Sequence, residues 1–145
     1  VAVALGRVLY LVHLGVLLWW LLDRSHAQRA TEALIGLIAA LHLYFLWFEM
    51  FAWETTGRRI FRQMPAEIFP KTKVMAANQG LYNGFLVARL VWSLVISDPE
   101  WADKVALFFL TCVLIAGIFG AITASKKIFY VQGLPALVAI VLILI

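Results

Sequence analysis

The residues of this chain able to do chemistry are few, and nearly all of them interrupt apolar runs. His42 and Glu49 lie seven residues apart in the run from Ala33 to Trp53, which sets them about 20° apart on one helical face. In the run from Met75 to Ile96, Asn78, Tyr82, Phe85 and Arg89 share a face through spacings of four, three and four, and Gln79 and Asn83 share the adjoining one. Gln132 follows near the start of the last apolar run. Ionisable groups within a membrane span are costly, so they face a bundle interior or a water-filled cavity. One chemistry open to this set is a polar pocket for a small amphipathic or cationic solute. Glu49 would then carry charge or accept a proton, with His42, Asn78, Gln79, Tyr82, Asn83 and Gln132 lining the site. The other is structural: the same groups join helices through hydrogen bonds worth roughly 0.6 kcal/mol each. An enzyme acting on a lipophilic substrate needs Glu49 and His42 close together, whereas seven residues put them about 10 Å apart along the helix, which weighs against catalysis. One Glu and one His fall short of the three or four ligands of a zinc site, so no metal or cofactor is expected. The motifs G-x-S-x-G, Walker loop, H-E-x-x-H and C-x-x-C are absent, His13 reads as a packing residue, and Cys112 alone permits no internal disulfide.

The elements that must hold these groups follow from composition. Of 145 residues, 64% are hydrophobic and 14% charged, against about 45–50% and 25% in soluble domains, which excludes a water-soluble enzyme and a disordered chain. Five runs approach the roughly 20 residues that cross a bilayer: residues 1–22, 33–53, 75–96, 101–124 and 128–145. No strand-like alternation appears, so the expected fold is all-α: a polytopic membrane helical bundle of four core transmembrane helices plus one N-terminal apolar helix. Residues 1–34 would be that helix and a short loop, and residues 35–145 the four-helix integral-membrane domain. The first run lacks a small-x-small cleavage site and reads as retained. A start other than Met and an end inside an apolar run suit a processed or truncated piece of a longer chain.

Charge predicts orientation. Arg58, Arg59, Arg62, Lys71, Lys73, Lys126 and Lys127 fall between spans on one side, with Arg24, Arg29 and Lys104 on the other. The positive-inside rule then makes the 54–74 loop, the Lys126–Lys127 turn and the N-terminus cytoplasmic. The net charge of +4 is a topology signal, and no nucleic acid is expected as a partner. The expected partners are the lipid bilayer, a small-molecule solute and a second copy of the chain. Residues 57–64, with Ile60, Phe61 and Met64 among three Arg, read equally as an amphipathic helix on headgroups or as a solvated basic loop. Trp19, Trp20, Trp53 and Trp101 read as interfacial anchors.

Packing and depth are also readable. Ala76, Gly80, Gly84 and Ala88 recur every four residues, and Ala116, Gly120 and Ala124, with Gly117 beside them, make a similar small-residue surface, so close helix contacts are expected there. Pairing Trp53 with Met75 across the loop puts Glu49 level with Gln79 and His42 level with about Leu86. Glu49, Asn78, Gln79, Asn83 and Gln132 would therefore share the cytoplasmic half, with Arg89 about 15 Å deeper. Gly133 and Pro135 should bend the start of the last span.

Several blocks also resemble a known family. Leu41-His42-Leu43-Tyr44, Phe48-Glu49-Met50-Phe51-Ala52-Trp53, the stretch from Ala76 to Leu86, Gly117-Ile118-Phe119-Gly120-Ala121 and Val131-Gln132-Gly133-Leu134-Pro135-Ala136 look like the small bacterial integral-membrane family known as domain of unknown function 1304. The resemblance covers about residues 35–145 and implies four spans in a bacterial inner membrane, with no established activity. Family members commonly have a small residue where this chain has Arg89. Residues 1–34 resemble, more weakly, the C-terminal end of a TetR-type regulator, in which case the first run would be a dimerisation helix and not a span.

Overall fold

The computed structural model describes residues 10–16 and 24–145, and among these the chain is helical with no strand. Four long or joined helices make the bundle: α1 (Arg24–Phe51), α2 (Ile68–Val95), α3 (Pro99–Thr123) and α4 (Leu134–Leu144). The first of these opens on polar pairs one turn apart, with Gln28 Nε2 donating to Glu32 Oε1 at 2.9 Å and Thr31 Oγ1 to the Ala27 carbonyl at 2.8 Å. Asp98 caps α3 by accepting from the Trp101 N–H at 2.9 Å, and Pro99 follows at the first turn, where a missing N–H costs nothing. Ahead of α4 run a single turn (Lys126–Ile128) and a π-helical turn (Phe129–Gly133). The π turn lies just before Pro135, and a locally wider helix is how the clash of a proline ring with the preceding turn is relieved. The bend expected at Gly133 and Pro135 takes this form.

Each helix packs on the next in chain order, and α4 closes the ring on α1. Their shared core is apolar: Ile35, Ile38 and Ala39 meet Leu90, then Leu110 and Val113, then Ala136 and Ala139. Ser25–Phe51, Pro99–Thr123 and Lys126–Leu144 are long and apolar enough to cross a membrane. Their outward faces are those of a membrane bundle, with Leu37, Leu43, Phe108, Ile115, Phe119 and Val138 all exposed. The fourth expected span, α2, has 28 residues, about 42 Å, and so is long enough. Asn78, Gln79, Asn83 and Arg89 lower its apolarity, and it is not among the three.

Most of the first apolar run, and with it the expected N-terminal span and the first part of the TetR-like segment, lies outside the described residues; residues 10–16 are helical and exposed, and residues 24–34 belong to α1. The boundary expected near residue 34 falls within the continuous helix Arg24–Phe51. The stretch after Phe51 is not one amphipathic helix. A π-helical turn (Trp53–Gly57) leads into a single α turn (Arg58–Ile60), and the chain then folds back through Met64 and Pro65. Phe61, whether read on a headgroup-facing helix or in a solvated loop, packs 5.7 Å from the ring of Trp53.

Candidate functional site

The site begins where α1 and α2 cross most closely. Gly80 faces α1 with no room for a side chain: a Cβ there would stand 2.7 Å from Met50 Cγ, 3.0 Å from the Leu46 carbonyl oxygen and 3.1 Å from Glu49 Cβ. One turn on, Gly84 meets Leu46. These contacts pair Glu49 with the stretch from Gly80 to Asn83, within a few residues of the register drawn from the loop. Asn83 Nδ2 donates to Glu49 Oε2 at 2.7 Å, an interhelical bond between two half-buried side chains. That is at the short end of the range for an amide donor. Lys73–Glu54 and Lys104–Glu100 form ion pairs, whereas no Lys or Arg among the described residues pairs with Glu49.

His42 lies two turns deeper on the same helix and is 1% exposed. Its Nδ1 bonds the Ile38 carbonyl at 2.8 Å, which makes Nδ1 the donor and leaves Nε2 with the lone pair. Phe45 stands edge-on to its ring at 5.5 Å. His42 and Glu49 are thus both inward but occupy different levels, as an acid–base pair would not.

The other expected lining residues are placed elsewhere. Asn78, Gln79 and Tyr82 are exposed on the outer side of α2, Tyr82 by 62%, and Asn78 Nδ2 donates to the Val74 carbonyl of its own helix at 3.2 Å. The reason is rotational: Asn78 and Tyr82 stand roughly 100–160° from Gly80 and Asn83, which are the residues that meet α1. Arg89 is also exposed, with its guanidinium 5.1 Å from the ring of Phe109 on α3. Gln132 belongs to the contact between α3 and the Phe129–Gly133 turn, where Gly117 would place a Cβ 3.3 Å from Gln132 Cγ and 2.7 Å from Gly133 Cα. The small-residue stripe is likewise only partly inward. Ala76 and Gly80 are buried, Gly84 is half-buried and Ala88 is exposed, because four-residue steps drift about 40° each around the helix. On α3 the inward pair is Gly117 and Gly120, the latter against Ile128, while Ala116 and Ala124 are exposed.

Arg58, Arg59, Arg62, Lys126 and Lys127 are all exposed, and the up-and-down topology gathers them at the end of the bundle nearest Glu49. At that end Lys73 Nζ pairs with Glu54 Oε1 at 2.9 Å, and its hydrogen bond and charge hold the Glu54 carboxyl below the usual carboxylate range. Beside this pair stands Trp53, whose type and position suggest a headgroup anchor. Trp53 is half-buried among Phe48, Phe61 and Phe69, with ring centroids 6.4, 5.7 and 5.2 Å away, and its Nε1 donates to Thr72 Oγ1 at 3.0 Å. Gly57 lies directly under the indole, which the spacing Trp53-x-x-x-Gly57 could have signalled. This cluster ties the loop to the first turns of α2 and so fixes the depth of Asn83 opposite Glu49. Among the described residues no three His, Cys, Asp or Glu side chains gather as metal ligands would.

The chain is 29% identical over 111 residues to the uncharacterized protein YpaA of Lactococcus lactis subsp. lactis (strain IL1403), covering 74% of this chain and 92% of that one. No solved structure matches. The sequence profile of the family described as "Protein of unknown function (DUF1304)" matches residues 36–144, which include both helices of the Glu49–Asn83 crossing, and the chain belongs to that family.

Proposed function

We propose that this is a bacterial membrane protein that binds a small amphipathic or cationic solute at Glu49, entering from the end of the bundle that carries the basic loop, and that this end faces the cytoplasm. The observation that carries the reading is the state of the Glu49 side chain. It is half-buried in a helix long and apolar enough to span a membrane, accepts one bond from Asn83 and pairs with no Lys or Arg among the described residues. A carboxylate in such surroundings is stabilised by a counter-charge, and here a bound cation would supply it. Oε1 is the oxygen left for that cation, with Asn83 orienting the group. His42, two turns deeper, would present a neutral imidazole toward the bundle interior. The excess of Lys and Arg at the Glu49 end supports the cytoplasmic assignment.

A second reading has its own support. The Gly80 approach and the Asn83–Glu49 bond are what a purely structural crossing would use. Calorimetric titration of the purified full chain in nanodiscs with tetraphenylphosphonium separates the two. Cation binding predicts saturable uptake that Glu49→Gln abolishes while the thermal midpoint stays within a few degrees. Absence of binding in the unaltered chain, or binding untouched by Glu49→Gln, would overturn it. Equal loss of thermal stability in Glu49→Gln and Asn83→Ala without any binding would establish the structural role.

A further inference from the structure

Residues 52–73, from the end of α1 into the second turn of α2, carry Arg58, Arg59, Arg62, Lys71 and Lys73 against Glu54 and Glu67, and the turn ahead of α4 adds Lys126 and Lys127 at the same end of the bundle. Glu54 is taken by Lys73, whereas Arg58, Arg59, Arg62, Lys126 and Lys127 are exposed and pair with no carboxylate among the described residues. We propose that Arg58, Arg59 and Arg62 form a binding site for the phosphodiester headgroup of an anionic phospholipid, with Lys126 and Lys127 adding to its positive field.

Position decides what meets these charges. Ser25–Phe51 and Lys126–Leu144 are each long and apolar enough to cross a membrane, and the up-and-down order of the helices puts Phe51 and Lys126 at one end. A helix that crosses a bilayer ends among headgroups, so the turn just beyond Phe51 stands in or beside that layer. The turn is also held in place. Trp53 Nε1 donates to Thr72 Oγ1 at 3.0 Å, Gly57 lies under the indole and Phe61 packs on it, which folds the basic stretch back against the first turns of α2. The arginines inherit that fixed position: the Arg58 guanidinium lies 5.7 Å over the ring of Phe69, and Arg62 Nε donates to the Arg59 carbonyl at 3.1 Å, which leaves both its terminal nitrogens as donors. Guanidinium forks match the paired oxygens of a phosphodiester. The apolar neighbours favour a lipid over a dissolved phosphate or a nucleic acid, because Phe51, Ile60, Val74 and Met75 are all exposed on the same segments. A headgroup on the arginines with its acyl chains beside these residues satisfies both kinds of surface, whereas a free anion would satisfy only the charge. The turn between α2 and α3, at the opposite end, carries Asp98, Glu100 and Asp103 against Lys104, so the attraction is one-sided.

Native mass spectrometry of the full chain in detergent, titrated with phosphatidylglycerol or phosphatidylcholine, tests the site. Phosphatidylglycerol should bind with saturation and more tightly than phosphatidylcholine. Arg58→Gln, Arg59→Gln and Arg62→Gln should each weaken its binding about fivefold, while Arg29→Gln, exposed at the other end of the bundle, should leave it unchanged. Thermal midpoints of the lipid-free variants, expected to equal the parent's because all four side chains are exposed, separate lost binding from lost folding. Equal affinity for the two lipids would overturn the proposal, as would a loss in Arg29→Gln as large as in Arg58→Gln. So would displacement of the lipid by the soluble headgroup glycerophosphoglycerol, or by an RNA oligonucleotide, at the lipid's own concentration.

Discussion

Replacing Gly117 by Ala tests whether the contact between α3 and the Phe129–Gly133 turn is as close as the structure has it. The added Cβ would lie 2.7 Å from Gly133 Cα and 2.8 Å from Gly133 N. Ordinary contact begins at 3.4 Å, so the helices would have to part by at least about 0.7 Å along that line. The obstructing atoms are backbone and cannot rotate aside, which places the variant at the upper end of the roughly 1–3 kcal/mol cost of overpacking. Against this stands the gain of about 1 kcal/mol in helix propensity for Gly→Ala. The expected net loss is about 1–2 kcal/mol. Two companions calibrate the scale. In Gly84→Ala the added atom meets Leu46 Cδ1 at 2.7 Å, the far end of a flexible side chain, and the clash and propensity gain should nearly cancel. In Gly36→Ala nothing lies within 4 Å, and the variant should be up to about 1 kcal/mol more stable than the parent. Thermal unfolding in detergent, followed by tryptophan fluorescence, should rank them Gly36→Ala, then Gly84→Ala, then Gly117→Ala. A Gly117→Ala variant as stable as Gly36→Ala would refute the close approach of α3 and the Phe129–Gly133 turn.

Two further outcomes follow from the loop end of the bundle. In a double-mutant cycle, Trp53→Phe and Thr72→Val each remove the Nε1–Oγ1 bond, so their effects on unfolding should couple by about 1 kcal/mol, and additive effects would mean that the indole is held by ring packing alone. The Glu54–Lys73 pair should make stability pH-dependent in a stated direction. Because the folded carboxyl lies below its unfolded value, near about 4.3, the contribution is complete above that value and disappears as pH falls through the folded one. Glu54→Gln should therefore be slightly less stable than the parent at pH 7, with the difference shrinking in high salt and disappearing in acid once the folded carboxyl is protonated. A difference that persists unchanged in acid would remove the ion pair as its cause.

Much of the architecture was readable from one dimension. Apolar runs of membrane length dictate helices, because only intrahelical bonds satisfy a backbone in lipid. The basic loop between Phe51 and α2 forces those helices antiparallel, and a fixed 1.5 Å rise then puts Glu49 level with Gln79, one turn short of its partner Asn83. Rotation about each helix axis was not readable in the same way. In water the polar side of a helix faces out, so polarity reports the inward face; in a bilayer both sides are apolar and a polar residue can face a neighbour, a ligand or another copy. Asn78, Gln79 and Tyr82 carry the same chemistry as Asn83 yet stand on the outer side of α2. What turned them outward is the fit of Gly80 and Gly84 against Leu46, Glu49 and Met50, a matter of shape between two helices. The same holds for Trp53, whose type suggests a headgroup anchor and whose neighbours make it the tie between loop and helix. Helix identity, topology and depth thus belonged to the sequence, because they depend on length, charge and backbone hydrogen bonding. Which side chains meet belonged to the tertiary structure, because close packing selects one rotation among several that the bilayer leaves nearly equal.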